Sequence, residues 1–417
     1  MATQTFSEKN FNFLVRKKDC GKYFINAKGE YSKVIKKKIL KKVGNNLNIE
    51  NYTFQPLHSF TINRKLVYSL SRISDDKSNL LDVVRDDYVL RQVNRNLRKI
   101  YKVKQADRFQ IISSVKTLLA NPAHFYVCKL DIKSFYESVN RQKILESIEG
   151  SAIVSYQTKK FLKKFFSNPV ILRDLPEKGL PRGINISATL SEYCMRKFDK
   201  EISGMDSVYY YARFVDDIII FSTEKITSQT IECHLPDKLK FNELKEEVHD
   251  FSKDIDVCIS YLGYEFKCSR SKNDRKIETR IATRKINKIK GRLVSSFLDY
   301  KINQDFDLLK DRLLFLTATY PLKKQEGESL ENEKARILRG GILYNYPLID
   351  DMSCLSDLDK FLRGILFSKP MKKRISNTLT KNKREELRKF SFLQGYNRRI
   401  SRKFDSNHIK RIAECWR

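Results

Sequence analysis

The 417-residue chain is short of acids, short of proline, and without any pattern that would commit its cysteines or histidines to a metal. No apolar run approaches the roughly 18 residues needed to span a bilayer, so a helical membrane protein is not expected. Eight cysteines (Cys20, Cys128, Cys194, Cys233, Cys258, Cys268, Cys354, Cys415) are scattered without a Cys-x-x-Cys pair. The five histidines also lack metal-ligand spacing. Buried free thiols in a reducing cytosol explain this better than disulfides or zinc. The opening residues lack the basic stretch and apolar core of a secretory leader, and a cytoplasmic location is expected. No repeat or low-complexity tract interrupts the chain, and only nine prolines punctuate it.

What is abundant is positive charge. Eighty-two Lys and Arg stand against fifty Asp and Glu, a formal charge of +32. Charged residues at 32% and hydrophobic ones at 41% are otherwise ordinary for a soluble globular protein. Such an excess favours a polyanionic partner, because each phosphate neutralised releases condensed counterions. A surface kept soluble by charge is the plainer alternative.

Residues 1 to 59 read as a small mixed extension with a basic run at Lys33 to Lys42. From 60 to 124 the pattern is mainly helical, with Phe109, Ile112, Val115 and Leu119 at helical spacing. Strand, helix and hairpin alternate to about 268, beyond which the chain turns helical and more basic. There Ile286, Ile289, Leu293 and Phe297 form one apolar stripe, with Arg284, Lys285, Lys288 and Arg292 largely outside it. The segment 371 to 417 holds fifteen Lys or Arg against four acids, a net of +11. Phe390, Phe392, Tyr396, Phe404 and Trp416 interleave with those charges. They suit either stacking on a nucleic-acid strand or the core of a small helical subdomain.

The chemistry concentrates in three carboxylates. Asp216 and Asp217 sit at the crest of a β-branched and aromatic stretch, Tyr209 to Phe221, which reads as a hairpin with the acids at its tight turn. Asp131 closes a separate apolar run, Phe125 to Ile132. Three carboxylates on neighbouring strands suit two divalent cations and in-line displacement at phosphorus. Each feature alone has a plain structural reading: a strand-end aspartate caps a helix, and acidic pairs are common at turns.

The order of motifs narrows the choice. Lys129-Leu130-Asp131-Ile132-Lys133-Ser134-Phe135-Tyr136 is followed by Gly179-Leu180-Pro181-Arg182-Gly183-Ile184-Asn185. Phe214-Val215-Asp216-Asp217 and then Tyr261-Leu262-Gly263-Tyr264-Glu265-Phe266 complete the series. It resembles the palm of reverse transcriptases, in particular the bacterial group of retron, group II intron and defence-associated enzymes. The resemblance spans roughly residues 90 to 268. Arg98-Lys99-Ile100 and Asp107-Arg108-Phe109-Gln110-Ile111 look like its fingers blocks.

The resemblance implies an α+β right-hand polymerase: fingers, a palm with an antiparallel sheet, and a helical thumb. Its divisions would be an N-terminal extension (1–59), fingers and palm (60–268), thumb (269–370) and a basic, aromatic-rich C-terminal segment (371–417). It implies that Asp131, Asp216 and Asp217 hold two Mg2+ ions, with Mn2+ a substitute, and that the Ile132 carbonyl is a further ligand. By position, Arg91 and Arg98 would meet the incoming triphosphate. Tyr136 would pack beneath the sugar and exclude a 2′-hydroxyl, favouring deoxynucleotides. Arg182 and Gly183 would line the nascent base pair, Lys245 would protonate pyrophosphate, and Leu262, Gly263 and Tyr264 would support the primer end. Core tyrosine and solvated lysine remain alternatives for Tyr136 and Lys245.

The chain departs from the family pattern at Phe214 and Val215, where tyrosine and alanine are usual. Arg182 replaces the glutamine of retroviral enzymes. No RNase H domain, His-rich endonuclease or zinc tail is recognisable, nor the retron Asn-Ala-x-x-His and Val-Thr-Gly blocks. Gln4 to Phe11, Arg339 to Pro347 and Glu414-Cys415-Trp416 resemble a bacterial antiviral enzyme, nearest the smaller first enzyme of type 3 defence-associated systems. That implies RNA-directed DNA synthesis, a non-coding RNA as template, a DNA product and a companion reverse transcriptase, with no membrane. A retron-type or group II-like enzyme, an RNA-dependent RNA polymerase and a non-catalytic RNA-binding scaffold are the competing readings.

Overall fold

A computed structural model of the chain describes residues 4–45, 47–62, 64–237, 239–253, 256–270, 275–325, 336–374 and 376–416. It divides into two compact units. One comprises residues up to Asp107 with His124–Ser252; the other comprises Arg108–Ala123, Lys253–Gln325 and the described residues from 336 onward. The content is α+β with antiparallel sheets, as expected.

In the first unit a hairpin, β1 (His58–Ile62) and β2 (Lys65–Ser69), precedes the helix Leu80–Ile100. The hairpin occupies part of the stretch expected to be mainly helical. Its β-branched and aromatic residues, Phe60, Ile62 and Val67 among them, favour the pleated conformation. The main sheet has the order β4-β5-β3-β6. Its strands are β3 (Tyr126–Asp131), β4 (Val208–Phe214), β5 (Asp217–Ser222) and β6 (Glu247–Asp250).

Strand β5 is buried on both faces. Ile218 and Ile220 join Cys128, Leu130 and Ile132 in the main core. On the other face Phe221 meets Phe125, which stacks on Phe251 at 4.6 Å between centroids. This is why the strand reads as an unbroken apolar run and not as an alternating one. Each such side chain, fully buried, contributes about 1.5–3 kcal/mol.

Residues 1–59 are not a separate extension. Phe6, Phe11, Phe24, Tyr52 and Phe54 belong to the same core as Tyr88 and Phe161, with the Phe6 and Phe161 rings 4.6 Å apart. Apolar surface that would be exposed on a free extension is thereby removed from water.

The second unit carries a three-stranded antiparallel sheet of β7 (Asp256–Tyr261), β8 (Tyr264–Arg270) and β9 (Arg275–Ile281). A further antiparallel pair is formed by β10 (Tyr320–Gln325) and β11 (Arg336–Gly340). The helix Arg108–Leu119 and the β7–β8 hairpin group here, although the sequence assigned both to fingers and palm. In the helix Thr283–Asn303, Ile286, Leu293 and Phe297 of the expected stripe are buried and Ile289 is half-buried, while Arg284, Lys285 and Lys288 are exposed and Arg292 is half-buried. The buried Glu265 carboxylate accepts from the Thr283 N–H at 2.8 Å, satisfying a donor at that helix start.

The C-terminal aromatics largely pack inward, which decides between their two readings. Phe404 and Trp416 lie against Phe315. The Trp416 Nε1–H donates to the Arg292 carbonyl and the Ser296 hydroxyl, both at 3.0 Å. Phe392 and Tyr396 are buried, while Phe390 borders a cavity. No described helix is long and apolar enough to cross a membrane.

Candidate active site

The site is built from the ends of β3 and β5. Asp131 ends β3 and Asp217 begins β5, and the two are direct cross-strand partners. The Ile132 N–H donates to the Asp216 carbonyl at 3.0 Å, closing the ladder one step further on. The Asp131–Asp217 pair is therefore of the non-hydrogen-bonded kind, in which Cα atoms lie about 4.5 Å apart and side chains come closest. Two carboxylates are thus held face to face by backbone pairing alone. Asp216 occupies the two-residue turn between β4 and β5 with Val215.

That turn is strained. Val215 has φ +63°, a left-handed conformation that a β-branched residue rarely adopts. Arg213 supports it: its Nη1 donates to the Val215 carbonyl at 2.9 Å, while Nη2 reaches Glu192 at 2.7 Å and Asp199 at 2.8 Å. The sequence gives no sign that this arginine braces the turn two residues on.

The electrostatics follow from the crowding. Burial, and then the charges of Asp216 and Asp131, push the Asp217 carboxyl up to about 6; Lys245 and Lys129 oppose the shift. Lys245, from the short turn Glu243–Lys245, places Nζ 2.8 Å from Asp131 Oδ1. The Asn242 N–H donates to the Asp131 carbonyl at 2.8 Å, and its side-chain amide reaches Oδ2 at 3.4 Å. Lys129, one pleat back on the same face of β3, is ion-paired with Glu247. Asn242 was not anticipated, because only the loop before β6 brings it to Asp131.

Clustered hard oxygens whose mutual repulsion raises a carboxyl pKa fit a dication such as Mg2+. Among the described residues no group of three or more His, Cys, Asp or Glu side chains is arranged to hold a metal ion by itself. An ion that keeps water and substrate phosphates as ligands does not need one.

Tyr136 and Arg182 lie within the field of Asp216. The Arg182 guanidinium stands 4.8 Å from the Tyr136 ring centroid and forks onto Glu137 at 2.5 and 2.9 Å. Glu137 is a partner the sequence did not suggest. Gly183 has φ +90°, and a Cβ there would stand 2.5 Å from the Tyr68 carbonyl oxygen. The Tyr68 N–H also donates to the Arg182 carbonyl at 2.7 Å, so β2 seats the 182–183 loop.

The remaining candidates lie elsewhere. Arg98 is exposed in the last turn of Leu80–Ile100. Arg91, expected at the triphosphate, is only 8% exposed. Its guanidinium is saturated by Asp19 at 2.6 and 3.0 Å, Asp87 at 2.8 and 2.5 Å and the Leu14 carbonyl. A cation so paired within the core is a structural tie, and this corrects the expectation for Arg91. Leu262, Gly263 and Tyr264 belong to the second unit. Leu262 and Gly263 form the two-residue β7–β8 turn, with φ of +44° and +84°.

A comparison with curated proteins returns no match. Among solved structures, one described as apo telomerase from Candida tropicalis truncated from its C-terminal domain matches at 15% identity with a TM-score of 0.36. The match covers 54% of this chain and 54% of that chain, so this chain spans about half the length of the structure it matches. Residues 17–266 match the family described as reverse transcriptase (RNA-dependent DNA polymerase). That match takes in both strands that carry the facing aspartates and more than half of the chain, and the protein belongs to the reverse transcriptase family.

Proposed function

We propose that the chain is an RNA-directed DNA polymerase that adds deoxynucleotides to a 3′-hydroxyl. The observation that carries this reading is the facing pair Asp131 and Asp217, held in register and mutually repelling beside Asp216. Asp131, Asp216 and Asp217, with the Ile132 carbonyl, would hold Mg2+ or Mn2+. When bound, such ions acidify the attacking hydroxyl and neutralise the triphosphate and its leaving pyrophosphate.

The other roles belong to the chain's own residues. Lys245 keeps its ammonium at Asp131 on a side chain 55% exposed, which supports a role in which it turns to a phosphate oxygen and supplies its proton. The partly buried Tyr136 ring, with Arg182 over its face, offers a wall against a 2′-hydroxyl. Arg182 and Gly183 would line the nascent pair, Arg98 would meet the triphosphate, and Leu262, Gly263 and Tyr264 would support the primer.

The finer reading is antiphage defence in the cytoplasm, with a non-coding RNA as template and a companion reverse transcriptase. It is supported by the short terminal motifs and by the +32 charge. The test is primer extension by purified protein with deoxy- or ribonucleoside triphosphates, with and without chelator, alongside sequencing of copurifying RNA. Metal-dependent deoxynucleotide incorporation that Asp216→Asn abolishes is expected. Equal use of ribonucleotides, or incorporation that survives Asp216→Asn, would overturn the proposal.

A further inference from the structure

In the second unit, the helices Phe306–Thr317, Lys381–Leu387 and Phe392–Asn397 border an open cavity of about 340 Å³. Leu314 and Phe390 supply apolar lining; Lys389, Gln394 and Arg402 are exposed at its walls. Among the described residues, none of these three polar side chains has a hydrogen-bond or ion-pair partner. The one acid in the lining, Glu386, is paired with Lys310 at 3.2 Å, which offsets its charge. Two unpaired cations, an unpaired amide and an aromatic ring around one hollow are complementary to a phosphate joined to a flat base. The volume suits a group of nucleotide size.

We infer that this cavity binds one nucleotide of a single-stranded nucleic acid. Lys389 and Arg402 take the phosphate, Phe390 stacks on the base, and the Gln394 amide meets the base edge. The site extends the proposed copying function by giving the strand a hold outside the carboxylate site. It also explains why Phe390 is left at a cavity when the other aromatics of its segment pack inward.

The test is fluorescence anisotropy of the full chain with a labelled single-stranded RNA of about 20 nucleotides, across a salt series. Lys389→Gln with Arg402→Gln should weaken binding about tenfold or more and flatten the log–log salt slope by about 1.4. Phe390→Leu should weaken binding at least about fivefold with the slope unchanged. The control pair Lys381→Gln with Lys403→Gln removes the same charge from exposed positions outside the cavity and should cost clearly less. Equal losses for the two charge pairs, or wild-type binding by Phe390→Leu at unchanged melting temperature, would overturn the inference. Primer extension by the unaltered chain is scored separately. Its absence beside this binding pattern would remove the polymerase reading and leave the pocket standing.

Discussion

The guanidinium of Arg108 forks onto the Leu262 carbonyl, Nε at 3.1 Å and Nη2 at 2.6 Å. Nη1 reaches the Asn345 carbonyl at 2.6 Å, and the group lies 5.1 and 5.4 Å from the Tyr264 and Tyr346 ring centroids. Both residues of this turn have positive φ, and only Gly263 accepts that without strain. Arg108 is therefore a brace for a turn the sequence assigned to primer support. Arg108→Lys keeps the charge and loses the fork. It should destabilise the chain by about 2 kcal/mol and raise the primer KM roughly tenfold, a change of about 1.4 kcal/mol, with kcat moved less. Thermal unfolding and steady-state extension measure the two effects.

Gly183→Ala places a methyl group 2.5 Å from the Tyr68 carbonyl oxygen, at φ +90°. The obstacle is backbone of β2, which cannot rotate away as a side chain would. A loss of roughly 2–4 kcal/mol is expected from strain and overpacking together. Thermal or denaturant unfolding reads it, and a variant as stable as the parent would show that the loop has another seat.

Asp217→Asn should separate stability from activity. A carboxyl at about 6 in the folded chain, against 3.8 ordinarily, binds a proton over a window in which the unfolded chain has lost it. Stability from this group therefore falls as pH rises from about 4 to about 6, and its charge is a full cost above that. In metal-free buffer at pH 7 the variant should be more stable than the parent by on the order of 2 kcal/mol. The difference should vanish below about pH 4, and incorporation should be lost. Unfolding midpoints across pH, with chelator present, measure this.

Lys245→Ala removes the ammonium held by Asp131 at 2.8 Å. Lys245 also holds the Asp217 carboxyl down, so without it that group rises further and Mg2+ has one competitor fewer at Asp131. The half-saturating Mg2+ concentration should fall, while kcat falls about a hundredfold if Lys245 is the acid for pyrophosphate. Opposite movements of the two constants are the signature; parallel losses would mark Lys245 as a structural residue only.

Much of the geometry of the strands that carry the facing aspartates was legible along the chain because it depends on neighbours in sequence. The unbroken run Ile218 to Phe221 needs burial on both faces, and a tight turn at the acidic pair was expected; the turn is Val215–Asp216, with Asp217 opening β5. The stripe Ile286, Leu293, Phe297 likewise fixes which side of its helix is cationic. Pairing distant residues was beyond that reach. Arg91, expected at the triphosphate, becomes a core tie only when Asp19, 72 positions away, is folded against it. Glu137 finds Arg182 across 45 positions, and Arg108 finds Leu262 across 154. Local periodicity decides which residues form strands and helices, since side-chain direction repeats with the backbone. Only the tertiary structure decides which charges neutralise one another, because burial and proximity, not spacing, set that energy.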